Sequence, residues 1–179
     1  MSRVVNLNRE PIGDAVYVGR RRPSHGLAGS DFANPYRIGR DGTREEVIEK
    51  YRRWLAKQPD LLQRLHELHG RRLACWCAPE PCHGDVLVAF ADAAKLLDEI
   101  NAAGITASVH NGRVRLTPAS RVSDALVARA RPHKDALRWL VAQRQADRIP
   151  AEKHVLVAYA SKVFDARIVK VARPSGHRA

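Results

Sequence analysis

Long apolar runs are missing from this 179-residue chain. The longest, such as Val86 to Ala91 and Val155 to Ala160, are six residues, against the ~20 that a membrane helix needs. No segment is expected to span a bilayer, and no membrane partner is expected. The opening MSRVVNLNRE has neither the apolar stretch nor the small-residue cleavage pattern of a secretion signal, which points to the cytoplasm. Cysteine is scarce: there are three, all between positions 75 and 82, and a reducing compartment argues against a structural disulfide. Internal repeats and low-complexity tracts are absent as well. The length rules out a large multidomain machine, leaving one ordinary domain or two small ones with thin cores.

Acidic residues are also few. Nineteen Asp and Glu face 31 Lys and Arg, a net charge of +12. Residues 1–95 carry 16 basic and 12 acidic groups, whereas residues 96–179 carry 15 and 7. The excess is concentrated in the second half, where a polyanion or an acidic partner would be drawn. Solubility, together with a compositional bias toward Arg, accounts for the charge equally well. What the chain does have is a globular composition, with 45% apolar and 28% charged residues.

Two short apolar runs, Val4 to Leu7 and Ala15 to Val18, read as buried strands. A long loop follows over residues 21–43, punctuated by Pro23, Gly26, Gly29, Asn34-Pro35, Gly39 and Gly42. Loops of this length are usually functional or mobile. Thr43 then opens a helix, TREEVIEKYRRWLAKQ, with Thr43 as its N-cap and Glu46 completing a capping box. LLQRLHELHG repeats the helical spacing up to Gly70, RRLACWC reads as a buried strand, and Cys82-His83-Gly84-Asp85 start a further helix. Strand and helix in alternation favour an α/β layer with parallel pairing.

The texture changes near Leu96. LLDEINAAGI is expected to be a helix closed by Gly104, TASVHNGRVRLTP a hairpin around Asn111-Gly112, and VSDALVARARPHKDALRWLVAQ one or two helices jointed at Pro132. Residues 1–94 therefore read as a small Rossmann-like α/β domain with a parallel or mixed sheet, and residues 95–146 as a small helix-hairpin-helix module. Residues 147–179 read as a linker and a β-rich or flexible tail, with strand-like HVLVAYA and ARIVKVA and a fraying PSGHRA.

The cysteine cluster carries the chemistry. In a strand, residues two apart face the same side, so Cys75 and Cys77 present both thiols on one face and Trp76 packs on the other. APEP brings the chain round to Cys82 and His83. Cys75, Cys77, Cys82 and His83 could form a zinc site, although a Cys-x-Cys pair on a strand followed by an adjacent Cys-His pair is an awkward tetrahedron. A metal-free alternative places Cys82 at a strand-to-helix junction, where a helix N-terminus lowers a thiol's pKa and favours anions. Cys82 would then be a nucleophile, His83 a base, and Asp85 a carboxylate for a ribose hydroxyl or a proton. The plainest alternative makes Cys75 and Cys77 small buried apolar groups and Asp85 a helix-terminal charge.

The segments VVNL, YVGR, FANPY, TREEVIEKYRRWL and above all GRRLACWCAPEPCHGDVL resemble the bacterial and phage domain-of-unknown-function family 4326, over roughly residues 3–95. The resemblance implies a fold and candidate positions without a reaction. The matching positions are Asn6, Gly19, Arg20, Asn34, Pro35, Arg44, Glu45, Cys75, Trp76, Cys77, Cys82, His83, Gly84 and Asp85. Beside it, Arg20 at a strand end, Asn34 in the long loop and Arg44 at a helix N-terminus are placed to converge on the Cys82 junction. Ligands of open α/β sheets sit beyond the strands' carboxyl ends, and arginines there suit phosphate or carboxylate. Asn6, Arg20, Asn34, Arg44, Cys77 and Gly84 are thus the expected ligand-binding set. Arg21 and Arg22 read as ordinary surface charge.

Residues 95–143 resemble the N-terminal docking domain of the tubulysin-synthetase (TubC) type, through the helix ending in AAG, the Asn-Gly hairpin and the HKDAL helix. That resemblance implies an adaptor that takes an acidic peptide as an added strand, with Arg113 and Arg115 as the partner-binding pair. Two functions are left standing. One is a thiol-containing anion pocket acting on or sensing a nucleotide or a nucleic-acid-derived ligand, joined to a basic interaction module. The other is a non-catalytic adaptor whose cysteine cluster is structural, with or without zinc, and which docks a protein or nucleic acid.

Overall fold

The computed structural model describes residues 3–148. The described residues divide into two units, one that runs to Gln143 and a second that begins at Arg144; the expected tail strands HVLVAYA and ARIVKVA lie outside the described residues. Strands β1 (Arg3–Asn6) and β2 (Val16–Tyr17) come first, followed by the long loop with one 3-10 turn at Pro23–His25. Helix α1 (Arg44–Leu55) and the short α2 (Pro59–Gln63) lead through a 3-10 turn at Arg64–Glu67 into β3 (Arg72–Cys75). Helix α3 (His83–Ala102) leads to the hairpin β4 (Thr106–His110) and β5 (Arg113–Thr117). Helices α4 (Asp124–Ala130) and α5 (Lys134–Arg148) complete the described chain.

The first sheet is wholly parallel, in the order β1-β3-β2, with Val4 opposite Leu73 and Val16 opposite the same Leu73. The hairpin pairs antiparallel, with Val109 opposite Val114. The protein is therefore mixed α/β, with a small parallel sheet, a small antiparallel one and several helices, as the alternation of apolar runs indicated. Among the described residues, no helix is long and apolar enough to cross a membrane.

Local chemistry explains the element ends. Thr43 caps α1 as expected: Glu46 N–H donates to Thr43 Oγ1 at 3.3 Å, and Thr43 N–H donates to Glu46 Oε2 at 2.8 Å. Asn111 and Gly112 both sit at positive φ, 49° and 71°, as a two-residue hairpin loop of the I′ kind requires. Pro132 falls within a 3-10 turn, Arg131–His133, that separates α4 from α5. The two helical patterns read on either side of Leu96 prove to be one. Helix α3 runs unbroken for 20 residues across that position, because Leu96, Leu97 and Ile100 continue the buried face begun by Val86, Leu87 and Phe90.

That helix organises the interior. Val18, Leu73, Leu87 and Phe90 meet Tyr51 and Leu55 of α1, Leu65 of the 3-10 turn and Leu68 just after it, and the same cluster extends to Ile105, Leu137, Leu140 and Val141. Each such side chain taken fully from water contributes roughly 1.5–3 kcal/mol. Gly84 lets α3 approach β1 closely, since a Cβ there would lie 2.9 Å from Val4 Cγ2. The long loop is fastened to this core. Tyr51 Oη donates to Phe32 O at 2.7 Å, and Asn34 Nδ2 donates to Val47 O at 3.3 Å. Both anchors come from or end on α1, which fixes residues 32–36 beside the carboxyl ends of the strands.

Candidate functional site

Beyond the carboxyl ends of the three parallel strands lies a pocket of about 290 Å³. Its walls come from Tyr17, Gly19 and Arg20 after β2, from Asn34 to Ile38 of the long loop, from the first turn of α1, and from the β3–α3 connection. The lining includes Arg20, Arg22, Arg37 and Arg44 and, among the described residues, no carboxylate.

Two of these arginines are held by main-chain carbonyls. Arg20 Nε donates to Asn34 O at 2.8 Å and its terminal nitrogen donates to Tyr36 O. Asn34, itself buried, accepts from Tyr36 N–H at 2.9 Å, so loop and guanidinium brace each other. Arg44 donates to Pro81 O at 3.2 Å, tying α1 to the turn before α3. Burial, reinforced by Arg37 and Arg40, pushes Arg20 below the ordinary arginine range. Positive charge is crowded on this wall.

Cys75, Cys77 and Cys82 also line the pocket. Their sulfurs all lie within 4.8 Å of one another, and the three could hold a metal ion. All are free thiols. Cys82 is the N-cap of α3: its Sγ accepts from Gly84 N–H at 3.2 Å while its own N–H donates to Asp85 Oδ2 at 2.7 Å. The thiols are strongly coupled. Hydrogen bonds from Cys75 and Cys82 hold Cys77 well below the usual thiol range; the contact with Cys77, with burial, pushes Cys75 up, and the contacts with Cys75 and Cys77, with burial, push Cys82 up. Cys77, half-buried and lining the pocket, is the thiol whose charged form is most favoured. The sequence pointed to Cys82 for that role on the strength of its helix N-terminus. In the folded chain Cys82 is 3% exposed and serves as a cap.

His83 is buried, and its Nε2 donates to Val18 O at 2.8 Å, with its ring edge-on to Tyr51 at 5.3 Å. Burial lowers its pKa, and the bond to Val18 O requires a proton on Nε2. It stands outside the three-sulfur group, against its expected place as a fourth metal ligand. Asp85 is engaged in capping, and Gly84 packs against Val4. Asn6 donates to Ala78 O and accepts from Asn8 N–H at 2.8 Å, bracing the Cys77–Cys82 turn from behind. Asn6, Gly84 and Asp85 do not line the pocket; Arg20, Asn34, Arg44, Cys75, Cys77, Cys82 and His83 do.

Sequence reasoning missed an aromatic wall. Trp76 was expected on the face opposite the thiols, but β3 ends at Cys75, the alternation stops, and Trp76 lines the same pocket. Its Nε1 donates to Tyr17 Oη at 3.1 Å, and Arg22 lies 5.6 Å over its ring. Arg22 is therefore part of the pocket and not plain surface charge. Only the position of Tyr17 at a strand's carboxyl end could have signalled this.

Arg113 and Arg115 are exposed on β5 and lie apart from these residues. Arg113 lines a second, larger recess of about 700 Å³ formed by the hairpin, α4, α5 and the end of α3. Its lining includes the apolar Ile100, Val114, Leu116 and Leu137 and, with Arg113, the charged Arg131, Lys134, Asp135 and Arg138.

Residues 5–93 match the family model described as a domain of unknown function (DUF4326), which supports the resemblance drawn from the first half of the sequence. The chain is 34% identical over 83 residues to an uncharacterized protein of Acanthamoeba polyphaga mimivirus, an alignment covering 41% of this chain and 63% of that one. It is 36% identical over 61 residues to an uncharacterized 12.4 kDa protein in the nrdA-td intergenic region of Enterobacteria phage T4, covering 28% and 51%. The chain thus spans between half and two thirds of these relatives. No solved structure matches, and no match supports the docking-domain resemblance of residues 95–143.

Proposed function

We propose that the strand-end pocket binds a nucleotide or a nucleic-acid-derived anion, and that the protein acts on or senses that ligand. One observation carries the reading: four arginines and no carboxylate line the pocket among the described residues. Phosphate oxygens are the acceptors that crowded guanidiniums match best. The parallel strands support the Rossmann-like comparison in one respect, since ligands of such sheets sit at this end. Trp76, Tyr17 and Tyr36 line the same pocket and would give a base aromatic neighbours. A volume near the ~300 Å³ lower bound of small-molecule sites suits a mononucleotide better than a longer ligand. Cys77 is the thiol such a ligand would meet.

Isothermal titration of the full chain, kept metal-free, with a nucleoside monophosphate, inorganic phosphate and the uncharged nucleoside tests this. The monophosphate should bind at least about tenfold tighter than the nucleoside, as charge-assisted hydrogen bonds would dictate. Equal affinities, or no binding by any of the three, would overturn the reading.

The basic groove favours a second component. Its apolar and cationic lining fits an acidic peptide, with Arg113 and Arg115 on the exposed hairpin edge. In the adaptor reading this groove performs the function alone and the three-sulfur group only braces the β3–α3 turn.

A further inference from the structure

The connection from β3 to α3 brings together three thiols from two different structural contexts. Cys75 ends a strand, Cys77 follows it, and Cys82 caps a helix. The turn between them is tied down from both sides, by Asn6 to Ala78 O and by Arg44 to Pro81 O. The result is a triangle of sulfurs within 4.8 Å of one another. Thiolates around a zinc ion at about 2.3 Å would stand about 3.8 Å apart, so the triangle needs to close by about 1 Å at most.

Three further observations separate this triangle from a patch of small apolar side chains. All three cysteines line the pocket wall. Cys82 Sγ already accepts a backbone N–H from Gly84 at 3.2 Å, an outer-shell bond of the kind that steadies a metal-bound ligand. Arg20 and Arg44 stand on the same wall, where they would offset the net negative charge of three thiolates on one divalent cation.

We propose that Cys75, Cys77 and Cys82 form a three-thiolate site for a single divalent cation of the zinc class, with its fourth coordination position open to the pocket. His83 does not fill that position, because it lies outside the sulfur group. Three protein ligands and one free position are the arrangement of a zinc that takes a water or a substrate atom, whereas structural sites close all four. The site stands on the thiols alone and does not depend on the nucleotide reading.

Cobalt(II) reports both parts of the proposal. The full chain, reduced and stripped of metal, is titrated with Co²⁺ in the absence of any nucleotide, then with Zn²⁺ in competition. One equivalent of Co²⁺ should bind with sulfur-to-cobalt charge-transfer absorption and the intense visible bands of a tetrahedral site, and Zn²⁺ should displace it. Cys77→Ser should lower the charge-transfer intensity by about one third, one thiolate in three, and weaken binding at least about tenfold. His83→Gln should change neither. Azide, added as a small exogenous ligand, should shift the visible bands if the fourth position is open. Circular dichroism of the metal-free variants confirms that they are folded.

Absence of Co²⁺ uptake by the folded wild-type chain overturns the site. Loss of the spectrum in His83→Gln, or bands that azide leaves unchanged, overturns the open position. Because the nucleotide titration is run without metal and the metal titration without nucleotide, either reading can fail with the other intact.

Discussion

Two cavities in this protein are both bordered by arginine, and they use it differently. In the strand-end pocket, Arg20 and Arg44 are bonded to carbonyls of Asn34, Tyr36 and Pro81. In the hairpin groove, Arg113, Arg131 and Arg138 are exposed, and Arg138 has Asp135 at 3.9 Å. Arg20 is exposed as well, but a guanidinium held by the main chain has already lost its rotamer freedom before a ligand arrives, whereas one without such bonds must lose it on binding. The pocket is therefore suited to a small anion in one geometry. The groove is suited to an extended partner whose apolar side chains supply affinity and whose charge guides approach. Cationic residues alone do not distinguish these sites; what fixes the cations does.

The largest effect tests whether the two regions are separate at all. One core cluster joins Phe90, beneath the sheet, to Leu137 and Val141 of α5, and α3 serves both cavities. Phe90→Ala is expected to cost about 3–5 kcal/mol, and urea unfolding followed by tryptophan fluorescence and by circular dichroism should show one shared transition at lower denaturant. Two separated transitions would divide the chain near Leu96, as the composition shift suggested, and make the groove an independent module.

Next in size is a substitution confined to the pocket. Arg44→Ala should weaken nucleoside monophosphate binding about tenfold or more, in keeping with hydrogen bonds to a charged group, and leave acidic-peptide binding within about twofold. Arg44→Lys should recover only part, because an ammonium cannot reproduce the planar fork. An equal loss at both sites would mean that Arg44 acts through the fold and not on the ligand.

A smaller contrast is expected from salt. Raising ionic strength from about 0.05 to 0.15 M shortens the screening length to about 8 Å. Peptide binding at the exposed groove should weaken severalfold by isothermal titration. Binding in the partly enclosed pocket should weaken by a smaller factor. The reverse order would show that the pocket's arginines are as solvated as those of the groove.

Much of this arrangement was legible in the sequence, for reasons that are local. The capping box at Thr43, the Asn111-Gly112 turn and the Pro132 joint are each determined by a few neighbouring residues. The convergence of Arg20, Asn34 and Arg44 with the thiols could be inferred because Arg20 follows a strand end, Arg44 begins a helix and Asn34 lies in the long loop between them. Trp76 could not be placed that way. Its side depended on where β3 stops, and strand ends are set by pairing with β1 and β2, which no local pattern reports. The same holds for Cys77, whose low pKa comes from two other thiols that only the tertiary turn brings close. His83 and Asp85 have the residue types of a base and a carboxylate. Their nearest partners, Val18 O and Cys82 N–H, turn them to structural use.

The smallest expected effect separates two ways of using the hairpin. Arg113 and Arg115 alternate on β5 with Val114 and Leu116, so both side chains stand on the outer face. Only Arg113, next to the turn at Gly112, lines the groove. A peptide that adds as a strand along β5 would pass both arginines, and Arg113→Ala and Arg115→Ala should each weaken it by about two- to threefold, the range of exposed ion pairs. A peptide seated in the groove would feel Arg113→Ala alone, and Leu116→Ala would then matter more than either, because it removes part of the apolar lining. Titrating one acidic peptide against the three variants decides between them. Equal small losses for both arginines give strand addition, a loss at Arg113 with none at Arg115 gives groove binding, and no loss in any variant removes the hairpin from partner recognition.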